Sequence, residues 1–128
     1  MIELVFVIVV LGILASIAVP RLAATRDDAI LTKARSDIAA IRSAIINERQ
    51  TRLFRGDPSF ITSANLDSGG LFGGVLPYPL PSGTDNGKWS KSGSTYQLTI
   101  FNTTVNFDYN ATSGTFNCSG THCDTLTH

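Results

Sequence analysis

Residues 1–22 read MIELVFVIVVLGILASIAVPRL. From Leu4 to Val19 there is no charge, and only Gly12 and Ser16 interrupt the apolar side chains. The run counts about sixteen residues, just under the ~17–25 expected of a spanning helix. Met1 and Ile2 extend it, Glu3 is embedded in it, and Arg21 marks an interface on its far side. A carboxylate at bilayer depth costs about 2.5–3.5 kcal/mol on insertion scales, so it is rare without a partner. A cleaved signal peptide starts basic and ends at a small-residue site. Here the first charge is negative, and Ala15–Ser16–Ile17–Ala18 is the only passable cleavage site. An ordinary single-span anchor is the other plain reading, and Glu3 argues against it.

Outward from this stretch the helical pattern continues. Ile30, Ala34, Ile38, Ile41 and Ile45 recur at spacings of four and three, with Lys33, Arg35, Asp37, Arg42, Glu48 and Arg49 between them. That is an apolar stripe with a solvated face. Gly56 and Pro58 form a stop signal, since glycine accepts the left-handed cap and proline cannot continue a helix. The helix is expected from about Ile2 to Leu53, roughly 75 Å at 1.5 Å per residue. Its first half is apolar all round and needs lipid or other helices around it. Pro20 is expected to kink or melt the helix, or to end a membrane segment. Gly12 is a second weak point.

Punctuation dominates residues 56–93: Gly69–Gly70, Gly73–Gly74, Pro77, Pro79, Pro81 and Asn86–Gly87 predict a connecting loop with one short helical turn near Ile61–Leu66. After Gly93 the period becomes two. Tyr96, Leu98 and Ile100, then Val105, Phe107 and Tyr109, alternate with polar residues. Asn102–Thr103 and Ala111–Gly114 read as turns, and Thr115 to Cys118 as a third strand. The expected fold is α+β: a long N-terminal helix (1–55) whose second half packs on a small antiparallel sheet (94–128), each covering the apolar face of the other.

The 128 residues carry ten basic and ten acidic side chains, so charge gives no reason to expect a nucleic-acid partner. No nucleophile–base pair, paired-carboxylate site or phosphate loop emerges, and the Gly-rich stretch lacks the phosphate-binding lysine. No enzyme, metal or cofactor is expected. Two cysteines in a chain with a membrane-inserting start suggest an exported domain with a Cys118–Cys123 disulfide. The rival, a metal site from Cys118, His122, Cys123 and His128, matches no standard zinc spacing. Asn102, Asn110 and Asn117 each begin an Asn-x-Ser/Thr sequence, a match that Thr/Asn-rich sequence gives often by chance. Only Asn110 has an acidic residue, Asp108, two places before it, as some bacterial glycosylation systems require.

The segment MIELVFVIVVLGILASIAVP resembles the N-terminus of type IV pilins and of the pseudopilins of type II secretion. Mature chains of that family begin F-T-L-I-E-L, then an apolar run and a proline. Ile2, Glu3 and Leu4 match, Met1 stands for the preceding leucine, and Pro20 matches the helix-melting proline. The likeness is close over about the first twenty-five residues. The later order of helix, Gly/Pro-rich loop, strands and cysteine pair fits more loosely. The family's short basic leader ending in glycine, and the N-methylated phenylalanine that follows it, have no match ahead of Met1. Either the mature chain starts two residues earlier or the start has been misplaced.

The resemblance implies a pilin-like fold and a subunit held in the bacterial inner membrane, then polymerised by assembly machinery into a filament. In it Glu3 attracts the N-terminal amine of the adjacent subunit. The filament is a surface pilus or, for a pseudopilin, a periplasmic structure serving secretion or DNA uptake. Major pseudopilins commonly end in an acidic calcium-binding loop, whereas a tail disulfide is more typical of pili. Beyond the strands this chain has only Asp124, which favours a pilus. A membrane-tethered binding domain that never polymerises is the alternative of a different class.

Overall fold

The computed structural model describes residues 1–127, without the side chains of residues 18–25. It is α+β: one long helix, then a four-stranded antiparallel sheet. The helix, α1, spans Ile2–Phe54. Its end is chemically explicit. Gly56 takes φ 87°, its N–H reaches Leu53 O at 3.0 Å, and the N–H of Asp57 reaches Arg52 O at 2.9 Å. This paired closure satisfies carbonyls that the helix would otherwise orphan. The kink or melting expected at Pro20 lies outside the described residues.

The span expected as loop contains more structure than its glycines and prolines suggest. A single turn, α2 (Ser63–Leu66), is capped by the Thr62 hydroxyl, which accepts the Asn65 N–H at 3.3 Å. Strand β1 (Trp89–Ser92) follows, inside the 56–93 segment. The sheet therefore has four strands rather than the expected three: β1, β2 (Thr95–Ile100), β3 (Thr103–Asn110) and β4 (Thr115–Ser119), in sequential order. Four residues with a single large apolar member, Trp89, show no period of two, which is why β1 escapes a pattern search. It forms because Trp89 pairs with Leu98 across the ladder and buries its indole.

The β2–β3 turn is Phe101–Asn102, one residue earlier than expected, with Thr103 already in the ladder opposite Ile100. Both loop residues have positive φ (49° and 58°), the requirement of the tight turn that matches strand twist. A β-branched threonine could not have occupied such a position cheaply. At the other end of β3, residues 111–114 connect to β4. Gly114 has φ 70°, and a Cβ there would come within 2.1 Å of the Phe60 ring. Only glycine satisfies both demands.

Ala34, Ile38, Ile41 and Ile45 lie at 0–2 % exposure against Tyr96, Leu98, Ile100, Val105, Phe107 and Phe116 of the sheet. The isoleucine stripe and the alternating strands thus bury one another. The centre of this core is Phe72, from the loop. Its ring stacks on Tyr96 at 4.5 Å and meets Trp89 and Phe116 edge-on at 5.8 and 5.5 Å. Its backbone is held at φ 58°. Asp67 supports it by accepting the Phe72 N–H (3.2 Å), the Tyr96 hydroxyl (2.7 Å) and the Lys91 ammonium. A short C-terminal helix, α3 (Cys123–Thr127), packs beside α1, with Leu126 buried in the core.

Candidate functional site

The stripe of α1 that faces the sheet begins at Ile30, and no described residue before it belongs to the core. Residues 2–17 form an apolar arm. Every large apolar side chain from Ile2 to Ile17 is 38–86 % exposed. Leu4 to Leu11 are eight consecutive apolar residues, and at 100° per residue they cover every side of the helix. No orientation of such a segment hides its surface from water.

Within this arm the polar groups are few. Gly12 lies in regular helix with open space around it. Ser16 donates its hydroxyl to Ile13 O at 2.7 Å, so its polarity is satisfied inside its own helix. Gly12, Ala15 and Ser16 together leave a low-relief stretch that another helix can approach closely. Ala18, with them in sequence, lies outside the described side chains.

Glu3 is the one ionisable side chain among residues 2–17. It sits in the first turn of α1, where a negative charge is favoured by the unpaired N–H groups. Among the described residues it makes no ion pair or side-chain hydrogen bond. The arm therefore presents one carboxylate amid exposed aliphatic surface, with nothing of its own chain to pair it.

The described part of this arm is short. At about 1.5 Å per residue, residues 1–17 measure roughly 25 Å, against a hydrocarbon core of about 30 Å. No helix among the described residues is long and apolar enough to cross a membrane.

At the other end of the chain, Cys118 and Cys123 are joined by a disulfide, with Cα atoms 5.6 Å apart. It ties β4 to α3 across Ser119–His122. Each sulfur is bonded to the other, so neither is a thiolate ligand, and the rival metal set loses two of its four members. His122 faces the ring of Phe101 at 5.5 Å, and His128 lies outside the described residues. Arg42 donates through Nε and Nη2 to Phe116 O (3.1 and 2.9 Å), and Arg35 Nε donates to Thr125 O (2.7 Å). These two arginines, which the helical pattern assigns only to a solvated face, hold the sheet edge and the tail against α1. No spacing rule signals that role, because their partners are 74 and 90 residues away.

The Glu3 region and the disulfide are at opposite ends of the chain, and no contact joins them. The hydroxyl, ammonium and backbone amide partners of Asp67 make it an organiser of the Phe72 loop. Burial, with the hydrogen bond to Asp67, raises the Tyr96 phenol above its ordinary value, and burial also raises Tyr109. Hydrogen bonds from Ser59 hold exposed Asp57 below the usual carboxylate range.

No protein-family model, curated protein or solved structure matches this chain.

Proposed function

We propose that the chain is a structural subunit, not a catalyst, that polymerises through its apolar N-terminal helix into a filament of the type IV pilus kind. Its fold would then be pilin-like. The observation that supports this reading is the exposed arm with Glu3 inside it. Twelve large apolar side chains from Ile2 to Ile17 are exposed. At the low end of about 1.5–3 kcal/mol per buried side chain, covering them is worth on the order of 20 kcal/mol as an upper estimate. That exceeds the whole stability of an ordinary domain, about 5–15 kcal/mol. The arm must therefore sit in lipid or among other helices. Bundling copies about a common axis provides the second environment, and a head-to-tail contact that does not close yields a helical fibre.

Glu3 gives that bundle its register. Removing a carboxylate and an ammonium from water is costly for each alone, and pairing them offsets part of the cost. The N-terminal amine of an adjacent copy is the cation that this reading supplies. Before assembly the arm is held in the bacterial inner membrane; afterwards it forms the filament core, with the sheet facing outward at the cell surface. Assembly machinery extracts the subunit from the bilayer.

A pseudopilus for secretion or DNA uptake uses the same assembly chemistry. The disulfide-closed tail, with Asp124 as its single acidic residue beyond the strands, favours the pilus. The test is Glu3→Ala and Glu3→Leu. Both variants should stay in the membrane fraction, while filaments in sheared-cell preparations fall at least ten-fold by electron microscopy. Normal filament yield from either variant overturns the pairing role. A wild-type chain found only as membrane-bound monomer overturns polymerisation itself.

A further inference from the structure

The three Asn-x-Ser/Thr sequences are alike on paper and differ in the fold. Thr103 and Thr104, which complete the Asn102 site, lie in β3 and pair with Ile100 and Thr99. Asn102 itself is clamped to Asn86: its N–H donates to Asn86 Oδ1 at 2.9 Å, and its Oδ1 accepts Asn86 Nδ2 at 3.1 Å. The Asn117 site lies wholly in β4, paired with β3, and its middle residue is the disulfide-bonded Cys118. Threading either tripeptide through an enzyme's groove requires stripping ladder bonds from the sheet.

Asn110 is placed differently. It is the last residue of β3, and Ala111 and Thr112 have left the ladder for the 111–114 turn. Asn110 and Thr112 are both exposed. Asn110 Oδ1 accepts the Thr112 N–H at 2.9 Å, which folds the tripeptide into an Asx turn. Its Nδ2 makes no hydrogen bond among the described residues. Asp108, two residues earlier, is exposed on the same face of β3, because side chains two apart share a face. Its carboxylate is available to a cationic pocket, apart from one hydrogen bond accepted from the Thr95 hydroxyl at 3.0 Å. Asn110 still pairs with Thr115, but an acidic residue at minus two and a tripeptide whose second and third residues lie outside the sheet are independent features, and of the three sites only this one has both.

We infer that Asn110 is the acceptor of an N-linked glycan, delivered from a polyprenyl-diphosphate-linked oligosaccharide by a transferase that reads the acidic residue at minus two. In that step Asn110 Nδ2 bonds to the anomeric carbon of the first sugar, and the bond from that carbon to the diphosphate oxygen breaks. The polyprenyl diphosphate leaves with the electron pair, and the proton lost from Nδ2 passes to a base of the transferase. The inference needs the sheet to face the exported side, as in the proposed function, but it does not need polymerisation.

The chain has no Lys or Arg after Lys91, so one tryptic peptide, 92–128, carries all three sites. Full-length protein is recovered from the envelope of the cells that make it, and this peptide is sequenced by electron-transfer fragmentation. The expected result is a glycan mass on Asn110 alone, lost in Asn110→Gln, at least ten-fold lower in Asp108→Ala and within two-fold of normal in Asp108→Glu. Filament yield of Asn110→Gln should match the parent chain, so failure here and failure of the assembly reading are separate results. An unmodified peptide 92–128, a glycan on Asn102 or Asn117 instead, or full occupancy in Asp108→Ala overturns the inference.

Discussion

Residues 2–17 and 30–54 belong to one helix, yet they answer to different solvents. In the second segment apolar residues return every three or four positions, and Ala34, Ile38, Ile41 and Ile45 are buried against the sheet. In the first, apolar residues occupy every side, and all are exposed. The backbone hydrogen-bond pattern is the same in both. What differs is where the apolar surface goes: one segment buries its stripe inside its own chain, and the other leaves its apolar surface uncovered by any described part of that chain. Helicity therefore says little here about stability, and the angular spread of side chains says nearly everything.

The sharpest way to break this contrast is to empty the core. Phe72→Ala removes the ring at the centre of the aromatic cluster and should destabilise the domain by about 3–5 kcal/mol, read by denaturant unfolding followed through Trp89 fluorescence. A loss under about 1 kcal/mol would mean that the loop contributes little to the globular half. Next in size is the tail. The double change Cys118→Ser and Cys123→Ser frees α3 from β4 and should cost about 2–3 kcal/mol for so short a closed loop. The same loss should appear when the wild-type chain is unfolded under reducing conditions.

Alkali probes the globular half alone. Below pH 10 both Tyr96 and Tyr109 are protonated in folded and unfolded chains alike, and their contribution is fully present. Above it the unfolded chain loses phenol protons that the folded chain keeps, since burial raises both groups. Stability should then fall by up to about 1.4 kcal/mol per pH unit for each tyrosine. Tyr96→Phe should flatten that slope, and an unchanged slope would show that its environment is wetter than the buried ring implies. The smallest effect is the most discriminating. Phe6→Ala, chemically the same truncation as Phe72→Ala, should shift unfolding of the globular half by less than about 0.5 kcal/mol, because nothing in that half touches residue 6. A shift comparable to that of Phe72→Ala would sink the division into two solvents.

Much of this was legible without coordinates. The isoleucine stripe, the helix stop at Gly56, the alternation in β2 and β3 and the isolated carboxylate at Glu3 are all local patterns. β1 was not legible, because Trp89 stands alone among polar neighbours in a stretch dense with glycine and proline. Phe72 was not, because a buried residue at positive φ in a loop follows no period. The fastening of β4 and α3 by Arg42 and Arg35 was invisible for the same reason.

By itself the sequence determined what each stretch presents: a helix from its 3.6-residue period, strands from their period of two, and an arm that is greasy on every side. Tertiary structure alone decided which distant groups meet. It set Phe72 among Trp89, Tyr96 and Phe116, gave Asp67 its three donors, and let the chain leave the sheet right after Asn110, whereas Thr103 and Thr104 after Asn102 and Cys118 and Ser119 after Asn117 stay in the ladder. Periodicity records how one segment presents itself to its surroundings. It carries no record of which other segment those surroundings will be.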